Sequence, residues 1–103
     1  MDKIAGLKEV LTLDPKNSFA RYGLAMELAG RGSTAEAIAE FDQLLANDPD
    51  YTPGYFMSAQ TLADAGKRAE AIERLKTGMQ RAVRDGNQHI AGQMQALLDE
   101  LQR

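Results

Sequence analysis

Residues 35–38 read Ala-Glu-Ala-Ile, and residues 69–72 read the same four letters in the same order. The two blocks lie 34 residues apart, and the isoleucine recurs once more at this spacing, giving Ile4, Ile38 and Ile72. Other identities at this spacing are Ala25/Ala59, Leu28/Leu62, Ala29/Ala63 and Gly32/Gly66. A fixed period of about 20–50 residues indicates stacked supersecondary units, each of which buries its apolar face against a neighbour.

The apolar residues of the chain predict helices and no strands. They recur at helical spacing rather than in alternation, as Ile4, Leu7 and Leu11 do near the start. Six helices are predicted: the first over about residues 2–13, the second after a cap at Asn17 or Ser18, the third after Ser33, the fourth from Thr52-Pro53 to Gly66, the fifth from about Lys67 and the sixth over 87–102. An Asp-Pro pair ends the first and third helices, and glycine ends the second and fourth. Because Val83 replaces the second of these prolines in the next repeat, we expect the fifth helix to continue to Asp85.

Polar residues at the helix starts predict caps. Asn17 or Ser18 can cap the second helix, and Asn87 can cap the sixth. Ser33 and Glu36 form a capping-box pattern before the third helix, in which each side chain would bond the backbone amide of the other residue.

Composition narrows the class of protein. The chain has 103 residues, enough for one domain, and its 12 Lys+Arg against 15 Asp+Glu give a net charge of −3. That balance argues against a general binder of nucleic acid or anionic membrane, which would be basic. The absence of cysteine excludes disulfides and thiolate chemistry. With neither a signal-peptide pattern at the N-terminus nor a long apolar run, a cytoplasmic location is expected.

The pattern resembles the tetratricopeptide repeat, a helix-turn-helix unit of 34 residues. The matching residues are Leu24, Ala25, Leu28, Gly32, Ala37, Phe41 and Pro49 in one unit, and Tyr55, Ala59, Leu62, Gly66, Ala71 and Leu75 in the next. The resemblance implies an all-α fold, a right-handed superhelical stack of antiparallel helix pairs. It further implies a single domain over residues 1–103, with a half unit at 1–15, full repeats at 18–51 and 52–85, and a capping helix at 87–102.

Three positions depart from the family's pattern. Arg21 stands where a large apolar residue is usual, Gly78 where alanine is usual, and Val83 where proline is usual. We interpret Arg21 as a sign of an open N-terminal edge. The other two departures leave the path of the fifth helix open.

Catalysis and metal binding find almost no support in the sequence. His89 is the only histidine, and without cysteine a metal site would need carboxylates alone as further ligands. Ser18, Ser33 and Ser58 are possible nucleophiles, but the repeat places no histidine beside any of them. We therefore expect no enzymatic activity, no metal and no cofactor.

The resemblance points to a binding surface. In this family the first helix of each unit lines a concave groove, and here that strip reads Phe19, Tyr22, Met26, Phe56 and Gln60. An apolar strip with a polar rim suits a bound peptide or helix. Since none of the five residues is basic, a carboxylate clamp of the kind used by some family members is not expected. The chain is thus interpreted as a non-catalytic protein–protein interaction module or scaffold, which binds a protein or peptide.

The distribution of charge leaves alternatives open. Residues 1–51 carry five basic and nine acidic side chains, a balance of −4, whereas residues 66–85 carry six basic and three acidic, a balance of +3. The basic segment is either a solvated outer helix, or a contact for an acidic partner or for the acidic half of another copy. A self-associating structural protein, using the apolar strip or the chain ends as a homodimer interface, therefore stays an alternative.

Overall fold

The structure is a computed structural model and describes residues 2–103. In that range the chain forms six α-helices and no strand, which confirms the predicted fold class and helix order. The helices are α1 (Lys3–Leu13), α2 (Ser18–Gly30), α3 (Thr34–Asn47), α4 (Thr52–Asp64), α5 (Arg68–Arg84) and α6 (Gln88–Leu101). The fifth helix does continue through the position that proline holds in the preceding repeat.

The helices group into two compact units. One ends at Tyr51 and the other is Thr52–Arg103. In the first unit α2 packs against both α1 and α3, and in the second α4, α5 and α6 pack against one another. The finer division into half units, full repeats and a capping helix stays a prediction.

Glycine closes three of the helices in the same way. At each site the glycine has a positive φ, and the amide of the following residue donates to the carbonyl five residues before it. This backbone conformation is strained for any residue with a Cβ, and the turn satisfies carbonyls at the helix end. The glycines are Gly32, Gly66 and Gly86, with φ of 80°, 79° and 75°.

The predicted asparagine caps form, but the capping box does not. The side-chain oxygens of Asn17 and Asn87 each accept a hydrogen bond from the backbone amide three residues later, at 2.9 and 3.2 Å. The side chain of Ser33 makes no capping bond to α3, so that prediction is wrong. The reciprocal bond from Glu36 is excluded by the preceding turn, since the Ser33 amide already donates to the carbonyl of Leu28 at 2.9 Å.

Small residues lie where the helices pack most closely. The four alanines of the repeat pattern are fully buried, as predicted, namely Ala25, Ala37, Ala59 and Ala71. Gly78 brings α5 even closer to α4, because a Cβ built on it would lie 2.5 Å from the Cβ of Tyr55. Alanine at position 78 would therefore not fit without a shift of one helix.

Arg21 has an internal role rather than marking an open edge. Its side chain is only 15% exposed and forms an ion pair with Glu40 of α3, in which Nη1 and Oε1 are 2.6 Å apart. Its other terminal nitrogen donates to the carbonyl of Pro15 at 2.8 Å. The guanidinium thus connects α2 to α3 and to the turn after α1, where the family's usual apolar residue would form no ion pair.

Candidate functional site

The predicted strip divides between two helices. Phe19, Tyr22 and Met26 lie on α2 at positions i, i+3 and i+7, and Phe56 and Gln60 lie on α4 at i and i+4. These spacings place each set on one face of its own helix. Because α2 and α4 belong to different units, a single continuous strip of all five residues stays a prediction.

Tyr22 is both a surface residue and a packing residue. Its half-buried ring meets the fully buried ring of Phe41 edge-on, with centroids 6.3 Å apart, and lies 5.4 Å from the ring of Tyr51. Burial raises the pKa of the Tyr22 hydroxyl, and the neighbouring Tyr51 raises it further. Burial also raises the pKa of Tyr51, with an added effect from the charge of Asp48. These contacts hold the Tyr22 ring in one place on the surface.

Phe19 lies one turn before Tyr22 and is 80% exposed. The first turn of α2, which carries it, is fixed at two points. The hydroxyl of Ser18 donates to Oδ2 of Asp48 at 2.8 Å, and the side chain of Asn17 caps the helix. An apolar ring of this size on a well-anchored turn offers contact area without the entropic cost of ordering a loop.

The α4 part of the strip is more polar. Phe56 is half-buried and Gln60 is exposed. The same helix carries the buried Ser58, whose hydroxyl accepts a hydrogen bond of 2.6 Å from Arg74 of α5. This bond ties α4 to α5 and gives Ser58 a structural partner.

A second surface lies on the basic segment that the sequence indicated as an alternative contact. An open groove of about 610 Å³ lies along α5 and α6, and we call it the outer groove. It is lined by Lys76, Met79, Gln80, Val83, Arg84 and Leu98. The sequence indicated the basic residues of α5 but not the apolar floor, because Leu98 aligns with the polar Asp64 one repeat earlier. Val83 could have indicated this apolar surface, because it is an apolar residue at the position where the preceding repeat has proline.

The described residues contain few groups suited to chemistry. Within residues 2–103 no three His, Asp or Glu side chains are close enough together to hold a metal ion. His89 is exposed on α6, and two of the three candidate serines, Ser18 and Ser58, bond a carboxylate and a guanidinium in structural roles. None of the helices in this range is both long enough and apolar enough to cross a bilayer.

Comparison with known proteins places the chain among helical repeats. It is 25% identical to the TPR repeat-containing protein PA0015 of Pseudomonas aeruginosa over 100 residues, which cover 97% of this chain and 95% of that protein. Its structure resembles that of a tetratricopeptide repeat domain protein from Salinibacter ruber, with a TM-score of 0.80 and 27% identity over 85% of this chain and 89% of that one.

The fold is also similar to that of the TPR2B domain of yeast Sti1, solved as a complex with pHsp70. The TM-score is 0.90 at 22% identity, covering 97% of this chain and 82% of that one. The family profile described as Tetratricopeptide repeat matches residues 28–98, well over half of the sequence. With its 34-residue period, its glycine-closed helices and its buried alanines, this chain belongs to the tetratricopeptide repeat family.

Proposed function

We propose that this protein is a non-catalytic interaction module that binds a peptide or helix of a partner protein on the strip Phe19, Tyr22, Met26, Phe56 and Gln60. The observation that carries the proposal is the position of Phe19, a phenyl ring that is 80% exposed on a helix turn held by two hydrogen bonds. A large exposed aromatic ring lowers solubility unless it has a partner, and such rings commonly dominate binding energy.

The neighbouring side chains extend this contact along α2. Tyr22 presents part of a ring whose orientation is set by Phe41 and Tyr51, and Met26 adds a flexible apolar side chain one turn further on. A rigid aromatic residue beside an adaptable methionine suits an apolar side chain of the ligand. The fold likeness to the TPR2B domain of Sti1, itself solved with a bound partner, agrees with a binding role.

The chemistry of the strip also describes the ligand. With no Lys or Arg among the five residues, the strip offers no charge to a terminal carboxylate. Gln60 can donate and accept hydrogen bonds along a ligand backbone. The ligand is therefore a segment with apolar side chains at regular spacing, recognised by shape and burial rather than by charge.

The experiment selects peptides from a random display library against the wild-type protein and measures their affinity for variants. We expect Phe19→Ala to weaken binding by about tenfold or more, as is typical for a central aromatic contact. Leu13→Ala is the matched control, because Leu13 is also a large apolar side chain, 85% exposed, but lies on α1 and is not one of the five residues of the strip.

Two outcomes would contradict the proposal. One is that the selected peptides bind the Phe19→Ala and Met26→Ala variants as tightly as the wild type. The other is that Val83→Glu, in the outer groove, abolishes their binding. Tyr22→Ala is a poor test because it also removes the ring contacts to Phe41 and Tyr51, so Tyr22→Phe is used to examine the hydroxyl alone.

A further inference from the structure

The outer groove presents an apolar floor between basic side chains. Met79 and Val83 of α5 and Leu98 of α6 supply the apolar part, and Val83 is 67% exposed. Lys76 and Arg84 lie at the same groove, and Nε of Arg84 also pairs with Oδ1 of Asp85 at 3.2 Å, an exposed pair that a second carboxylate can join. The floor and its rim together fit an amphipathic helix that carries carboxylates beside its apolar residues.

The first helix of the chain carries exposed apolar residues with carboxylates beside them. Val10 is 41% exposed and Leu13 is 85% exposed, and the two lie one turn apart on α1. Glu9 precedes this pair and Asp14 follows it, both with exposed side chains. We call Glu9, Val10, Leu13 and Asp14 the α1 stripe.

The repeat explains why position 10 is apolar, whereas Leu13 aligns with the polar Asn47 and Arg81. Val10 aligns with Leu44 and Gly78 at the 34-residue spacing, and both of those residues are buried. Gly78 lies against Tyr55 of α4, the first helix of the same unit. In the second unit this position is thus covered by another helix, whereas in α1, which packs only against α2 among the described helices, Val10 remains partly open.

We propose that the outer groove of one copy binds the α1 stripe of a second copy, so that the chains associate head to tail. Val10 and Leu13 would cover the floor at Val83, and the carboxylates of Glu9 and Asp14 would face Lys76 and Arg84. The balance of −4 in residues 1–51 and +3 in residues 66–85 favours the same orientation over longer distances. This contact uses helices other than α2 and α4, so it is independent of the proposed peptide-binding strip.

The symmetry of the contact determines how the protein assembles. Each copy has one groove and one stripe, and such a heterologous contact extends into chains unless it closes into a ring. A single helix in a groove covers less than the roughly 800 Å² per partner of stable complexes. The association is therefore weak, increases with protein concentration and decreases with salt.

The test uses two variants whose changed side chains are exposed, so that folding is preserved. Val83→Glu places a carboxylate in the groove, and Leu13→Lys places an ammonium in the stripe. Sedimentation equilibrium measures the mass of each variant alone and of their equimolar mixture at low salt. Gln93→Glu is the charge-matched control, because it adds the same negative charge on an exposed position of α6 that does not line the groove.

We expect the average mass of the wild type and of Gln93→Glu to rise with concentration, and each of the two test variants alone to stay monomeric. Their mixture should form a 1:1 dimer and nothing larger, since only the intact groove of Leu13→Lys can pair with the intact stripe of Val83→Glu. A wild type that is monomeric up to about 1 mM overturns the proposal. So does a mixture that stays monomeric, or self-association that survives either substitution. Phe19→Ala should leave the self-association unchanged, which separates a failure here from a failure of the peptide-binding proposal.

Discussion

Helices α4 and α5 lie close together at Gly78, and substitution of this glycine tests the packing of the second unit directly. A Cβ at position 78 would lie 2.5 Å from Cβ and 2.9 Å from Cγ of Tyr55, and 3.0 Å from Cε of Met94. The methionine end is flexible and can move aside. The 2.5 Å contact is different, because every side chain at position 55 retains its Cβ and that atom moves only with the backbone of α4.

Two opposing effects decide the stability of Gly78→Ala. Replacing glycine in the interior of a helix gains about 0.5–1 kcal/mol from backbone entropy. Inserting a methyl group into a closely packed contact costs about 1–3 kcal/mol, and the upper part of that range applies here because the obstructing atom belongs to the rigid part of α4. We therefore expect Gly78→Ala to lower the free energy of unfolding by about 1–2 kcal/mol, and each kcal/mol lost lowers the thermal midpoint by roughly 4–8 °C.

Urea unfolding followed by circular dichroism measures this change, and the chain supplies matched controls. Gly92 lies in α6 with no atom within 4 Å of a built Cβ, so Gly92→Ala should be stabilising by about 0.5–1 kcal/mol. At Gly23 a built Cβ would be 3.5 Å from Leu7, an ordinary contact distance, so Gly23→Ala should not be destabilising. If Gly78→Ala were as stable as Gly92→Ala, the described approach of α5 to α4 would be wrong. Truncating Tyr55 to Ala should not rescue the Gly78→Ala variant, because the obstructing Cβ remains.

Three further predictions follow from burial and charge. Ala37→Leu should lower the free energy of unfolding by about 1–3 kcal/mol in urea titrations, whereas the same change at the exposed Ala39 should have little effect; equal stability of both variants would contradict the repeat register. The raised pKa values of Tyr22 and Tyr51 mean that folding favours their neutral forms, so their contribution to stability is present below about pH 10 and is lost as pH rises through the folded pKa; the thermal midpoint of the wild type should therefore fall relative to that of Tyr22→Phe across that range, and a difference between the two that stays constant with pH would contradict this. Truncation after Asp85 should cause aggregation, detectable by light scattering, because it uncovers the apolar face of α5; a soluble truncated chain with an unchanged melting curve would refute this.

Much of the fold was predictable because the repeat is carried by residues with a single physical role. Glycine at positive φ ends a helix regardless of what surrounds it, so Gly32 and Gly66 marked their turns correctly. Buried alanines at helix crossings were equally clear. The capping box failed at Ser33 because a local motif was considered without the turn before it, in which the Ser33 amide already has an acceptor.

The candidate site was less predictable because its side chains have two roles. The period places Tyr22 on the same face of α2 as Phe19 and Met26, yet the contact of its ring with Tyr51 depends on a residue that aligns with Asn17 in the preceding repeat. In the sequence, Arg21 is a departure from the family's pattern. Its structural role depends on the ion pair with Glu40 and the hydrogen bond to the carbonyl of Pro15, which only the structure reveals. Contacts made by residues that do not recur at the period give no periodic signal.

Two polar residues stand at positions where the repeat has a buried alanine. Lys3 aligns with Ala37 and Ala71, and Gln93 aligns with Ala25 and Ala59. Those four alanines are fully buried, whereas Lys3 and Gln93 are exposed, and Lys3 forms an ion pair with Glu27 at 3.1 Å. A second copy placed as the next repeat would have to bury a lysine and a glutamine at the tightest point of the helix crossing, at a cost of several kcal/mol without partners. The proposed head-to-tail contact through the α1 stripe and the outer groove would leave both polar groups in water, so these sequence differences are compatible with it.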